Sequence, residues 1–125
     1  MGHPSVYPTG VTVYNPDKCW NGFTIFQAHE VGAVLMDMNG REVKVWKGVN
    51  GMPNKLLPGG QILTTRGLRN GKYGVQDYLD LVQVDWDGNI VWKFDRNEFI
   101  EDPGATGRWM ARYHHDFQRE GNPVG

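Results

Sequence analysis

A four-residue turn occurs twice in the chain and limits the folds that it can adopt. Asp37-Met38-Asn39-Gly40 and Asp85-Trp86-Asp87-Gly88 begin 48 residues apart. Asn-Gly and Asp-Gly pairs tolerate a positive φ, so each turn is typical of a tight β-hairpin. Each turn is flanked by short stretches rich in β-branched and aromatic residues, as paired strands are. The spacing therefore predicts two copies of one antiparallel unit.

The remaining turns and apolar stretches extend this pattern along the chain. Pro58-Gly59-Gly60 predicts a further tight turn, and the turn-rich residues 1–21 predict an N-terminal arm or an edge strand over Val11–Tyr14. With 17 Gly and 7 Pro, the composition favours many turns between short segments, so the predicted fold class is all-β. The alternation of apolar residues predicts strands at 22–26, 34–36, 42–46, 54–57, 61–65, 81–84 and 89–94.

The internal repeat reaches beyond the hairpins. Leu56 to Gln61 aligns with Phe117 to Asn122, which implies an insertion of about 13 residues near 97–107 in the second copy. A repeat of about 40–50 residues with four short strands is the signature of a β-propeller blade. We therefore expect a partial propeller over 22–125, with one four-stranded blade at about 31–66 and a second at about 79–125. Since closure needs about four blades or more, the chain is expected to be part of a longer polypeptide or to close by association with itself or a partner chain.

Composition excludes several classes of function. Thirteen Lys and Arg against fourteen Asp and Glu give a net charge of −1, which does not suit a strongly basic nucleic-acid binder. The single cysteine, Cys19, excludes an internal disulfide framework and a cysteine-based zinc site. Asp85-x-Asp87-Gly88 resembles the start of a calcium loop, but the glutamate that such a loop needs at its twelfth position is absent, so no metal site is expected.

Targeting and cofactor signals are also missing from the sequence. The chain has no phosphate-binding Gly-x-x-x-x-Gly-Lys-(Ser/Thr) loop, so a nucleotide donor is not indicated, and no cofactor is expected. Its apolar runs are too short to span a membrane. Met1–Ser5 carries neither a basic nor an apolar stretch, so no signal peptide is expected and a cytoplasmic location stays open.

Five motifs in succession resemble those of a known family. They are a Gly-x-Thr-Ile-Phe strand at 22–26, Val-Leu-Met-Asp-Met-Asn-Gly at 34–40, Val-x-x-Trp at 43–46, Leu-Leu-Pro-Gly-Gly at 56–60, and His-His-Asp-Phe-x-x-x-Gly-Asn at 114–122. From about Val11 to its end, the chain resembles the N-terminal part of the bacterial arylsulfotransferases, the PAPS-independent aryl sulfate sulfotransferases. The resemblance implies a six-bladed β-propeller with histidines and an arginine in its central channel, and a periplasmic location.

The resemblance also implies a reaction. A sulfuryl group passes from a phenolic sulfate ester to another phenol through a transiently sulfated histidine, and most blades, with that histidine, are expected beyond Gly125. Imidazole serves as nucleophile or proton donor in such a transfer, and a guanidinium suits sulfate oxygens. The candidate catalytic residues are His114, His115 and Arg112, and the candidate substrate-binding residues are Trp109, Tyr113 and Asp116.

Structural roles compete with these assignments. The repeat alignment puts His114, His115 and Asp116 at the positions of Pro53, Asn54 and Lys55, at the start of a strand. Adjacent residues of a strand point to opposite faces, so only one of the two histidines would line the channel, and Asp116 would fix a tautomer. Either histidine equally suits a hydrogen-bonded blade junction, and Trp109 and Tyr113 suit the space between blades. Arg108, Arg119 and His29 are expected on exposed loops.

Three hypotheses about function follow. The first is an arylsulfotransferase-like propeller that binds small aryl sulfates and phenols. The second is a non-catalytic partial propeller that oligomerises and binds a ligand or a protein. The third is another enzyme on the same scaffold, such as a lyase or a hydrolase, because a fold alone does not fix a function.

Overall fold

The described residues form an all-β protein, as the sequence predicts. The structure is a computed structural model that describes residues 11, 13–67, 78–110 and 115–122. Within these ranges the chain has no α-helix, only one 3-10 turn at Pro16–Lys18. The described strands are β1 (Thr24–Ala28), β2 (Gly32–Met36), β3 (Glu42–Lys47), β4 (Lys55–Leu57), β5 (Gln61–Thr64), β6 (Leu81–Val84), β7 (Ile90–Phe94), β8 (Glu98–Ile100) and β9 (Arg108–Met110).

The strands pair in three antiparallel sheets. The first sheet has the order β1-β2-β3, the second has the order β4-β5-β6-β7, and β8 and β9 form a separate hairpin that overlaps the expected insertion near 97–107 and extends to Met110. The strands expected together within 31–66 therefore do not form one sheet, since β4 and β5 pair with β6 and β7 instead. Ile62 of β5 is fully buried against the first sheet, so β5 packs on the face of that sheet and does not extend its edge. The number of blades stays a prediction.

Both repeated turns form as predicted, because an aspartate side chain closes each one. Asp37 Oδ1 accepts hydrogen bonds from the backbone N–H groups of Asn39 and Arg41, both at 2.9 Å. Asp85 Oδ1 accepts one from Asn89 N–H at 2.8 Å. The edge strand expected at Val11–Tyr14 does not form in the described residues there, all of which lie outside strands.

The main core lies between the first and second sheets. Trp46 of β3 is only 2% exposed and packs in a cluster with Ala33, Leu35, Ile62 and Val82. Its indole Nε1–H donates a 2.8 Å hydrogen bond to the backbone oxygen of Asp85. This bond ties the first sheet to the hairpin turn of the second, so the two sheets pack face to face.

A second core lies on the opposite face of the second sheet. Its buried members are Leu57, Leu63, Tyr78 and Phe117. Phe117 belongs to residues 115–122, which cross this face without forming a strand. The second sheet is therefore covered on one side by the first sheet and on the other by this later segment.

Candidate functional site

A cavity of about 600 Å³ lies beside β4, at one edge of the second sheet. No described strand pairs with β4 on its outer side. The cavity is lined by residues 53–57 and by His115 and Asp116. Two segments that are far apart in the sequence therefore meet at the open edge of the sheet.

An ion pair joins the two segments. Lys55 Nζ lies 2.8 Å from Asp116 Oδ1, and the same ammonium donates to Gln118 Oε1 at 3.4 Å. Asp116 Oδ1 also accepts the backbone N–H of Phe117 at 2.8 Å. The Lys55 hydrogen bond and the Phe117 N–H lower the pKa of Asp116 below its usual value. The carboxylate therefore stays ionised and neutralises the Lys55 charge at the cavity wall.

His115 is exposed at this cavity, but its backbone differs from the expectation. Its φ of 61° lies in the left-handed region, and residues 115–119 are not a strand. A left-handed residue turns the chain and cannot continue strand pairing, so the strand geometry expected for His115 is wrong. Strand alternation therefore does not fix which way the His115 imidazole points.

Two anchors hold residues 115–122 in place. The Phe117 ring enters the second core and meets the Tyr78 ring edge-on, with their centres 6.4 Å apart. The Arg119 guanidinium lies 4.6 Å from the Trp92 ring centre and donates to Gln83 Oε1 at 2.8 Å. Arg119 is thus a partly buried packing residue and not the exposed loop arginine that the sequence indicates.

A buried polar network supports the strand that carries Lys55. The Thr64 hydroxyl donates to Asn54 Oδ1 at 2.6 Å, and Asn54 Nδ2 donates to Gln27 Oε1 at 2.9 Å. Gln27 Nε2 in turn donates to the Val49 backbone oxygen at 3.0 Å. Because the side chains of Thr64, Asn54 and Gln27 bond to one another in sequence, the network fixes the start of β4 relative to the first sheet.

The structure brings together only part of the predicted site. His115 and Asp116 line the cavity, whereas Arg112, Tyr113 and His114 lie outside the described residues. Trp109 lies in β9, where it is 38% exposed and its ring meets Phe99 edge-on. His29 lies exposed in the β1–β2 turn, 3.9 Å from the Glu30 carboxylate, as expected of a polar loop.

Lys55 is the cavity residue that the sequence reasoning misses. Its signal was present in the repeat alignment, which equates Lys55 with Asp116. The two residues are opposite in charge and are direct neighbours in space. An ion pair between repeats can therefore be sought at equivalent positions whose charges are opposite.

Neither a metal-binding cluster nor a membrane-spanning helix is present in the described residues. Within residues 11, 13–67, 78–110 and 115–122, no three His, Cys, Asp or Glu side chains are grouped to hold a metal ion. The same part of the chain has no helix with the length and apolar character needed to cross a membrane.

Comparisons with known proteins leave the family unassigned. No protein-family model matches the chain, and no curated protein or solved structure matches it. The resemblance to the arylsulfotransferases therefore depends on the motifs that carry it.

Proposed function

We propose that the chain is part of an arylsulfotransferase-like β-propeller, with the cavity beside β4 as part of its sulfuryl-transfer site. The proposal rests on one observation: His115, Asp116 and Lys55 converge at the open edge of β4. In a propeller the innermost strand of each sheet borders the central channel, and channel-facing groups collect there. A periplasmic location belongs to the same proposal.

The repeat supports this arrangement. Gly60 and Gly121, which the alignment equates, have φ values of 74° and 85°. Lys55 and Asp116, also equated, form an ion pair. In adjacent blades around one axis, positions that are equivalent in the repeat would have the same backbone turns and would lie next to each other in space.

The proposed transfer has two steps, and each of them conserves atoms and protons. A histidine nitrogen attacks the sulfur of the aryl sulfate, the N–S bond forms, and the S–O bond to the phenol breaks. The leaving phenolate takes a proton from His115. The acceptor phenol then attacks the same sulfur and returns its proton to His115 as the N–S bond breaks.

The remaining roles are proposed from the sequence motif. The sulfonate oxygens need positive charge, but Asp116 already neutralises Lys55. Arg112 is therefore the proposed sulfonate ligand, and a planar guanidinium suits sulfate geometry. His114 is proposed to hydrogen-bond the sulfonate, and Trp109 and Tyr113 to contact the aryl ring. The histidine that becomes sulfated is proposed to belong to another part of the propeller.

The test is a turnover assay with the complete propeller in its native oligomeric state, because this chain by itself does not include the proposed sulfated histidine. The protein is incubated with 4-nitrophenyl sulfate and phenol in the absence of any nucleotide, and release of 4-nitrophenol is followed by absorbance. His115→Gln is expected to lower kcat by about a hundredfold or more, because it removes the proton donor.

His29→Gln is the matched control, because the His29 side chain is 96% exposed and lies outside the cavity beside β4. It is expected to keep full turnover. Equal turnover in His115→Gln and the parent protein, or release that does not depend on the acceptor phenol, would contradict the proposed roles.

A second candidate function, association into an oligomer, is favoured by the outer face of the first sheet. Phe26, Val34 and Val45 form one row across this sheet by register, on the face turned away from the second sheet. Phe26 is 39% exposed and Val34 is 7% exposed, while Phe23 and Trp20, which precede β1 in the chain, are 61% and 97% exposed. An apolar sheet face of this kind is typical of a contact with another sheet.

Native mass spectrometry tests the second candidate. The chain is expected to give a multiple of its 14.2 kDa mass, and Phe26→Glu to give the monomer with an unchanged circular dichroism spectrum. A monomer at every concentration in the parent protein would exclude self-association.

A further inference from the structure

An open groove runs along the free edge of β3. The order β1-β2-β3 leaves this edge without a described strand partner. A cavity of about 250 Å³ is lined by the four consecutive residues 44–47. Consecutive side chains of a strand point to opposite faces, so a cavity lined by all four lies along the strand edge and not on one face. We call this cavity the β3 groove.

The opposite wall of the β3 groove comes from the second sheet and the loop after β5. Val84 and Gly88 contribute from the β6–β7 hairpin, and Arg66 from the loop. Arg66 Nη2 lies 3.9 Å from the position that a Cβ would take on Gly48, directly after β3. The groove is therefore bounded by backbone on one side and by side chains of a second element on the other.

The β3 groove is strongly positive, although the whole chain has a net charge of −1. Lys44, Lys47 and Arg66 line it together with a single carboxylate, Asp87. In the part of the chain that the structure describes, none of the three cations forms an ion pair. The Lys44 ammonium lies 5.4 Å from the Trp86 ring centre, which holds it at the groove, while Lys47 and Arg66 are exposed.

We infer that the β3 groove binds an acidic peptide segment of a partner protein in an extended conformation. An extended peptide adds to an open sheet edge through main-chain hydrogen bonds, and side-chain charges then select its sequence. Three cations facing one carboxylate select glutamate or aspartate. A second copy of β3 would bring its own Lys44 and Lys47 into a groove that is already positive, so an acidic segment is the better match.

The length of β3 sets the length of the peptide. β3 has six residues, Glu42–Lys47. At about 3.3 Å per residue it offers an edge of about 20 Å, which pairs with a segment of about six residues. Lysines on an open edge also discourage pairing with neutral strands, so the same residues that select an acidic segment protect the edge from aggregation.

The test is a fluorescence anisotropy titration of the full chain with labelled peptides. The first peptide, of about six residues to match the strand, alternates glutamate with threonine. The second replaces each glutamate with lysine. The third keeps the glutamates but carries N-methyl groups on alternate amides, which removes the main-chain donors needed for pairing. The first is expected to bind saturably, the second not to bind, and the third to bind at least about tenfold more weakly.

Two variants locate the site. The double substitution Lys47→Glu with Arg66→Glu replaces two cations that attract the acidic peptide with two anions that repel it, so it is expected to weaken binding about tenfold or more. Lys18→Glu makes half of this charge change at an exposed residue outside the groove and is expected to leave binding unchanged. All three positions are exposed, and circular dichroism verifies that each variant is folded.

Each other outcome overturns the inference in a different way. Equal binding of the N-methylated peptide would mean charge attraction without strand pairing. Equal weakening by Lys18→Glu would mean attraction without a defined site. No saturable binding of the acidic peptide would exclude such a partner. A molecular mass that rises with protein concentration in the absence of peptide, and that the double substitution returns to the monomer value, would assign the groove to a second copy of the chain.

Discussion

Phe117 anchors residues 115–122 to the second sheet, so removing its ring tests the arrangement of the cavity beside β4. Its side chain is 9% exposed, and it packs with Leu57, Leu63 and Tyr78. Burial of a phenylalanine contributes about 1.5–3 kcal/mol, and an edge-on aromatic pair adds about 0.5–1.5 kcal/mol. With the unfilled cavity included, Phe117→Ala is expected to lower the free energy of unfolding by about 3 kcal/mol.

Urea unfolding followed by tryptophan fluorescence measures this change, because Trp92 lies beside the same core. Phe99→Ala is the matched control: Phe99 is 56% exposed, so its loss is expected to lower the free energy of unfolding by about 1 kcal/mol or less. Phe117→Leu keeps most of the apolar volume and is expected to lower it by about 1 kcal/mol, which keeps the test usable if the alanine variant does not fold. Equal destabilisation by Phe117→Ala and Phe99→Ala would refute the packing of residues 115–122.

Two further predictions address the sheet contact and the ion pair. Trp46→Phe removes the indole donor to the Asp85 backbone oxygen, so the free energy of unfolding is expected to fall by about 2 kcal/mol in urea titrations; an unchanged midpoint would contradict this contact. Asp116 has a pKa below its usual 3.8 in the folded protein because of Lys55 and the Phe117 N–H. Its stabilising contribution is therefore complete above the unfolded pKa and is lost as the pH falls through the folded pKa. Between about pH 5 and pH 2, the urea midpoint of the parent protein is expected to fall more steeply than that of Asp116→Asn, and parallel curves would argue against the ion pair.

Local turn chemistry explains why the hairpins could be predicted from the sequence. The Asp37 and Asp85 side chains close their own turns within four residues, so the signal is contained in a short stretch. The strands beside these turns, β2 with β3 and β6 with β7, pair as the pattern predicts. All-β architecture follows from such signals without any knowledge of distant contacts.

The grouping of strands into sheets could not be predicted in this way. The apolar pair Ile62-Leu63 indicates that β5 is buried, but not whether β5 extends the first sheet or packs on it. The short link from β3 to β4 favours pairing in one sheet. The burial of Trp46 against Ile62 and Val82 instead stacks the sheets face to face, and this depends on contacts between residues far apart in the sequence.

The site was predicted only where its residues are adjacent in the sequence. His115 and Asp116 form part of one motif, and both line the cavity beside β4. Lys55, some sixty residues earlier, enters through the packing of residues 115–122 on the second sheet. Arg119 resembles a solvated arginine in the sequence, because nothing local predicts its stacking on Trp92.

The most direct test of the proposed function is whether His115 responds to an aryl sulfate. The imidazole signals of isotope-labelled protein are followed by nuclear magnetic resonance during titration with 4-nitrophenyl sulfate, and each histidine is assigned with its glutamine variant. The account predicts saturable shifts of the His115 signals and constant His29 signals. Constant His115 signals at saturating ester, or equal shifts at His29, would contradict it.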